Sequence, residues 1–405
     1  MSTFQTLDSA DLKGKRVLVR VDFNVPMHDG AVADVSRIER NALTITEIAD
    51  RGGKVILLSH YGRPKGRDLK ESLKPVVAAV ADIIGRPIGF AEDCIGEVAE
   101  KAVAAMKPGD ILCLENLRFH KGEEKNDRDF ALKLARLGDL YVDDAFSVAH
   151  RAHASVEAIG HLLPVFAGRA MQDELDALEK ALHAPERPVT AIVGGAKVST
   201  KLDLLGNLIA KVETLIIAGG MANTFLAAQG KSVGKSLCEN DLIKTAHDIL
   251  AKAKSLKREI VLPVDAVVAQ QFAAHAPSRV VSVDDVGPAD MILDIGPRSI
   301  EQAISVLSRS KTLVWNGPFG AFEYEPFDNG TIEVAEAAAE LTAAGRLVSI
   351  AGGGDTMAAL NAAAVTDRFT YVSTAGGAFL EWLEGKKLPG VEVLMTLRTP
   401  AASYG

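Results

Sequence analysis

Short apolar runs alternate with amphipathic helical stretches along the whole chain, and that alternation leaves few folds open. Residues 15–23, 54–59, 111–115 and 140–143 are near-continuously apolar, the pattern of parallel strands covered on both faces. Helical periodicity occupies 36–50, 73–84 and 127–137 between them. The scheme repeats at 190–193, 214–218, 259–264, 291–294, 312–315, 347–350 and 370–373. The expected class is α/β, with open, doubly wound parallel sheets carrying helices on both faces. A chain of 405 residues is too long for one typical core, so two such domains are expected. The break falls near residue 170. There Met171, Leu175, Leu178 and Leu182 share one helical face, Asp173, Glu174 and Asp176 fill the first turns, and Pro185 ends the segment. A helix over 171–184 is therefore expected to connect domain 1–170 to domain 171–388.

The charge balance narrows the partners. A net charge of −8 is unfavourable for nucleic acid or an anionic membrane. Residues 1–14 are polar and lack a signal core. No run approaches the roughly 18 apolar residues of a membrane span. Cys94, Cys113 and Cys238 lie far apart with no CxxC pair. They read as reduced, buried thiols of a cytoplasmic protein, not as a disulfide framework or a zinc site.

What ends the apolar runs differs between the two halves. In the first half the runs end in basic clusters: Arg20-Val21-Asp22-Phe23-Asn24, Ser59-His60-Tyr61-Gly62-Arg63, Glu115-Asn116-Leu117-Arg118 and His150-Arg151-Ala152-His153. Any one of these arginines, taken alone, reads as a surface residue. Four clusters at strand ends, where doubly wound sheets bind ligands, read instead as an anion site. Arginine holds anions by paired, charge-assisted hydrogen bonds. His150 and His153 have no third ligand, so a metal there is discounted.

In the second half the runs end in glycines. Gly352-Gly353-Gly354-Asp355-Thr356 stands between a strand and a helix, where free N–H groups receive phosphate. Asp355 does not suit a bare anion but suits a Mg²⁺ carried on one, and Thr356 suits a cap or a phosphate donor. Gly194-Gly195-Ala196-Lys197 offers the same turn with a lysine, and Lys201 shares its face if a helix starts there. Gly219-Gly220 makes a third close-approach turn, and Asn316-Gly317-Pro318 a fourth, with Glu323 shortly beyond. Gly230-Lys231-Ser232 and Gly234-Lys235-Ser236 mimic the end of a P-loop, but the required upstream glycine and a leading strand are missing. Two kinds of phosphate site on two bodies imply a bisubstrate phosphoryl-transfer enzyme.

Seven motifs in order then resemble one family, phosphoglycerate kinase. They are RVDFNVP at 20–26, SHYGRP at 59–64, LENLRF at 114–119, AHRAHAS at 149–155, GGAKV at 194–198, WNGPFG at 315–320 and GGGDT at 352–356. The resemblance implies a 3-phosphoglycerate site made by Asp22, Phe23, Asn24, Arg37, His60, Tyr61, Gly62, Arg63, Arg118 and Arg151, with His153 behind it. It implies catalytic roles for Arg37, Lys197, Gly353 and Gly376. It implies nucleotide contacts from Gly195, Lys201, Gly219, Gly220, Asn316, Glu323, Gly353, Gly354, Asp355 and Thr356, with Asp355 holding Mg²⁺ on ATP or ADP. It further implies a monomer with small-molecule partners, a hinge that closes the domains, and a tail at 389–405 returning to the first domain.

Three residues depart from the family pattern. Tyr61 replaces a leucine, Ser147 stands where glycine is common, and Ala375 interrupts a triple glycine. The expected reaction is reversible phosphoryl transfer between 1,3-bisphosphoglycerate with MgADP and 3-phosphoglycerate with MgATP. The rival readings are an ATP-dependent kinase or ligase on another small acid, and a non-catalytic nucleotide-binding relative.

Overall fold

A computed structural model describes residues 4–395. The chain divides into two compact units, one holding the chain up to Asp176 together with the chain from Lys387, the other holding Ala177–Lys386. The first division falls inside helix Arg169–Leu178, which runs on into a π-type turn at Glu179–His183. The expected connector helix is therefore α-helical only as far as Leu178.

The first unit is built on a six-stranded parallel sheet. Its order is Gly89–Ala91, Ile111–Leu114, Lys54–Leu58, Arg16–Arg20, Leu140–Asp143, Val165–Ala167. Residues alternate between its faces. Val17 and Val19 join one core with Ile38, Ile45 and Ile48 of helix Ser36–Asp50. Leu18 joins the other core with Phe130 and Leu134 of helix Arg128–Ala135. Burial of both faces explains why the strands are apolar throughout. The winding starts at Arg16–Arg20, proceeds to one side, and resumes on the other side at Leu140–Asp143. The crevice at that reversal, beyond the carboxyl ends of the strands, is the place for a ligand.

Helix Pro389–Met395 belongs to this unit. The amide of Gly390 donates to Ala149 O at 2.9 Å. A Cβ on Gly390 would meet Ala149 Cα at 2.9 Å. The rest of the expected returning tail, 396–405, lies outside the described residues.

The second unit has a parallel sheet of order Glu259–Val261, Thr214–Ile217, Val189–Val193, Thr312–Asn316, Val348–Gly352, Tyr371–Ser373. Its winding reverses between Val189–Val193 and Thr312–Asn316. One expectation needs correction here. The run at 291–294 is not a parallel strand of this sheet. Met291–Ile295 pairs antiparallel with Asp265–Ala269, which pairs with Ser278–Ser282 in a separate three-stranded sheet. A short apolar run does not carry its strand's direction. The strand expected over 259–264 ends at Val261, short of Pro263, which has no N–H to give and separates it from Asp265–Ala269.

Candidate functional site

The candidate anion site of the first unit is a layered set of charges at the winding reversal. Arg20 is fully buried at the end of its strand. Its Nε donates to Ser155 Oγ at 3.0 Å, and its Nη2 lies 3.0 Å from His60 Nδ1. Buried Glu123 accepts from Ser155 Oγ at 2.6 Å, and buried Asp143 ends the neighbouring strand. Arg20 was visible in the sequence only as one arginine among several. Its burial beneath His60 makes it the support of the site.

Above it, Arg118 Nη1 donates to Gly62 O at 2.6 Å. Glu124 approaches Arg118 Nε at 3.4 Å without completing a hydrogen bond. Arg151 is half-buried and its Nε meets His150 Nε2 at 3.3 Å. Burial, reinforced by Arg20, Arg118, Arg151 and His153, holds the His60 imidazole well below its ordinary value. Burial and the charges of Arg118, Arg20 and Arg151 hold His153 down to about 4. Burial, with the neighbouring arginines adding to it, thus keeps both histidines neutral.

The rest of the set is placed by the loop after Arg20. Arg37 Nη1 donates to Asp22 Oδ2 and to Asn24 O, both at 3.0 Å. Asn24 Oδ1 accepts from Gly62 N at 3.0 Å, which ties two of the clusters together. Asn116 pins Tyr61 from both sides, accepting from its N at 3.2 Å and donating to its O at 2.7 Å. The Tyr61 ring packs on the apolar core, so an aromatic here does the work of a leucine. The Phe23 side chain is buried in that core, and its amide is bonded to Ser59 Oγ at 3.0 Å. The side chain packs the loop against the core. Arg63 is exposed on the loop after Gly62.

In the second unit the glycine turns line two adjoining cavities. The more polar one, of about 310 Å³, is lined by Gly194–Lys197, Thr200, Lys201, Asn316, Gly317, Gly353–Thr356 and Leu380. A mostly apolar one of about 530 Å³ shares Gly195, Ala196 and Asp355 with it, and adds Gly219, Gly220, Phe272, Leu293 and Glu323, among others. Asn316 organises the polar cavity. Its Oδ1 accepts from Lys201 Nζ, and its Nδ2 donates to Gly352 O at 2.7 Å. Burial holds the Lys201 ammonium below its ordinary value, against the pull of Asp355 and Glu384.

The three glycines at 352–354 serve three purposes. A Cβ on Gly352 would strike the Phe379 ring, Gly353 has a φ of +103°, and Gly354 faces open space at the first residue of helix Gly354–Ala362. That helix is capped by Gly353 rather than by Thr356, whose Oγ1 accepts from Gly317 N at 2.7 Å. No helix starts at Lys197: a 3₁₀ turn at Val198–Thr200 intervenes and the helix begins at Leu202. Lys197 and Lys201 line the same cavity nonetheless. Gly376 caps helix Gly377–Leu383 with a φ of +55°, and that helix reaches the polar cavity through Leu380.

Residues 7–386 match the family model of phosphoglycerate kinase. The chain belongs to the phosphoglycerate kinase family. The phosphoglycerate kinase of Rhodopseudomonas palustris is 65% identical over 392 residues, 97% of this chain and 98% of the relative. That of Bradyrhizobium diazoefficiens is 64% identical over 391 residues, 96% of this chain and 98% of the relative. The solved phosphoglycerate kinase of Coxiella burnetii superposes with a TM-score of 0.91 at 41% identity, covering 96% of this chain and 98% of that one. That of Pyrococcus horikoshii gives 0.80 at 29% identity with the same coverage. The chain is accordingly a kinase of glycolysis, a phosphotransferase with a nucleotide and a small-molecule co-substrate. No described helix is long and apolar enough to cross a membrane.

Several lining residues carried no sequence signal. Phe272, Met291 and Leu293 enter the apolar cavity from the antiparallel sheet and its loops. Lys235, set aside with the P-loop mimic, lines that cavity from an irregular segment. Of the cysteines, Cys94 and Cys113 are buried, but Cys238 is half-exposed, contrary to expectation. Asp93, Cys94 and His120 form a mixed donor group within 4.8 Å. It is closed on itself, with Asp93 Oδ1 bonded to His120 Nε2 and to the Cys94 amide, both at 2.7 Å.

Proposed function

We propose that the chain transfers a phosphoryl group reversibly between 1,3-bisphosphoglycerate with MgADP and 3-phosphoglycerate with MgATP. The observation that supports this most is the polar cavity, where two lysines, a helix N-terminus and one acidic side chain converge beside an apolar slot. Adenosine would occupy the slot, with Glu323 at the ribose. Lys201, Thr356 and the N–H groups after Gly353 and Gly354 would hold the phosphates. Asp355 is exposed at the first turn of its helix and shares both cavities. A single carboxylate beside phosphate oxygens is the donor set Mg²⁺ takes on a nucleotide. The ion, when bound, neutralises phosphate charge. We place the enzyme in the cytoplasm, as a monomer.

Arg63, Arg118 and Arg151 would hold the phosphate that stays on the acid. Asp22, Asn24 and His60 would hold its body. The acceptor is a carboxylate, ionised at neutral pH, so no general base is required. Catalysis reduces to positioning and to neutralising the oxygens in flight by Arg37, Lys197 and the amides at Gly353 and Gly376. A coupled assay should show ATP formed from 1,3-bisphosphoglycerate and ADP. No ATP from that pair, with turnover of another acid, would move the chain to the rival reading.

Two further results are expected at the acid site. Arg118→Ala or Arg151→Ala should raise the KM for 3-phosphoglycerate by one to two orders of magnitude, since a hydrogen bond to a charged group contributes about 1.5–3 kcal/mol. The nucleotide KM should stay put. Binding should also move protons. His153 in the free protein titrates at about 4 because burial and arginines oppose its charge. A docked phosphate reverses the field and raises that value. From about 4 up to the raised value, binding therefore takes protons up at His153. Calorimetry at pH 5.5 and pH 8 in buffers of different ionisation enthalpy would measure it. After subtraction of the phosphate's own protonation change, measured with His153→Gln as the reference, equal proton counts at both pH values would place the anion elsewhere.

The acid's proposed anchors belong to one unit and the nucleotide's to the other. In-line transfer needs the reacting atoms roughly 3–3.5 Å apart and shielded from water. Domain closure should therefore lower the radius of gyration in solution scattering when both ligands bind, and lower it less with either alone. An unchanged radius in an active ternary complex would count against large-scale closure.

A further inference from the structure

We propose that Ser147 is a positioning residue for Arg37: its hydroxyl occupies the Asp22 oxygen that would otherwise draw the guanidinium into a two-pronged ion pair. The inference rests on the reading that Arg37 meets the substrate. Ser147 lies on the 3₁₀ turn Phe146–Val148, just past strand Leu140–Asp143. Its Oγ donates to Asp22 Oδ2 at 2.6 Å. Arg37 Nη1 donates to the same oxygen at 3.0 Å. Asp22 Oδ1 accepts from Asn24 N at 3.1 Å.

The acceptor count is therefore nearly closed. A carboxylate has about four lone-pair sites, and the Asp22 side chain is only 10% exposed. Oδ2 is filled by Ser147 and Arg37. Oδ1 keeps one position for a hydroxyl of the acid. Asn41 Oδ1 fixes the Asp22 amide at 3.1 Å, so the backbone does not slide. What Ser147 governs is the rotation of the carboxylate.

That rotation decides what Arg37 can still do. Only Nη1 is engaged, with Asp22 and with Asn24 O. Among the described residues Nε and Nη2 meet no acceptor. Arginine and a carboxylate otherwise favour a bidentate fork. With the serine hydroxyl gone, Oδ2 has a vacant lone pair and the carboxylate can turn to take a second guanidinium nitrogen. Arg37 would then be held by its partner instead of by the substrate.

The test is kinetic. Ser147→Ala should lower kcat/KM for 3-phosphoglycerate about tenfold, the scale of one charge-assisted hydrogen bond. The nucleotide KM and the Tm should be unchanged. Ser147→Thr keeps the hydroxyl and should stay within about twofold of the parent. In an Asp22→Asn background Ser147→Ala should add less than about twofold, because the carboxylate it restrains is gone. Parental acid kinetics in Ser147→Ala, or equal damage in Ser147→Thr, would overturn the proposal. Arg37→Ala separates the two levels. If it leaves acid kinetics intact, the underlying reading fails and this inference with it. If it is harmful while Ser147→Ala is not, only the role of Ser147 fails.

Discussion

Replacing Lys197 by alanine should lower kcat by about 10²–10³, while both KM values shift by no more than a few-fold. The two lysines of the polar cavity differ in how they are held. Lys201 is partly buried and bonded to Asn316 Oδ1, so it contributes equally to any phosphate in the cavity. Lys197 is exposed, in extended conformation just before the Val198–Thr200 turn. No hydrogen bond or ion pair among the described residues holds its ammonium, although Glu239 lies within its field. A long, unpinned cation can follow the charge of the phosphoryl group as it moves. Contacts that strengthen only in the transition state act on kcat rather than on affinity. Lys201→Ala should show the opposite split, losing mainly nucleotide KM. Steady-state kinetics in the ATP-forming direction compare the two. A Lys197→Ala enzyme that keeps kcat and loses only affinity would demote the residue to ground-state binding.

The difference between the two lysines could not be read from their spacing, and neither could several other features. The four basic clusters were legible because each is local: arginine or histidine just past an apolar run. Their arrangement was not, because it depends on pairing across the sheet. Ser147 and Asp22 are 125 positions apart, and Arg20 and Ser155 are 135 apart. The parallel sheets were legible because burial of both faces leaves a continuous apolar run. The three-stranded antiparallel sheet was not, because Met291–Ile295 carries the same kind of run in the other direction. That sheet supplies much of the apolar slot, so the slot's wall was the part of the site least visible in advance. Ala375 interrupts the glycine run at a position that asks for no left-handed backbone. It is buried, its amide is bonded to Ser373 Oγ at 3.2 Å, and the left-handed position belongs to Gly376.

Gly194→Ala should damage the nucleotide site through the sheet itself. Gly194 and Gly317 end the two strands that flank the winding reversal, and their backbones touch. A Cβ on Gly194 would lie 2.1 Å from Pro318 O and 2.8 Å from Gly317 C. A Cβ on Gly317 would lie 2.3 Å from Gly194 O. These are main-chain atoms, so no side chain can swing aside. The strand ends must part, and overpacking of this kind costs about 1–3 kcal/mol. Parting them also breaks the bond from Gly194 N to Asn316 O, 2.8 Å long, and moves the residue that aligns Lys201 and Gly352. Tm should fall by several degrees, as a loss of that size implies, and nucleotide affinity by at least about tenfold. Calorimetry with 3-phosphoglycerate alone should match the parent, because the acid's proposed anchors lie in the other unit. Gly354→Ala is the contrasting variant. A Cβ there meets nothing within 4 Å, so the fold should not notice it. If Gly354 is glycine so that backbone can approach a phosphate, the variant should keep its Tm and still lose nucleotide affinity. A Gly194→Ala protein with parental Tm and affinity would show that the contact between the two strand ends is not what shapes the cavity.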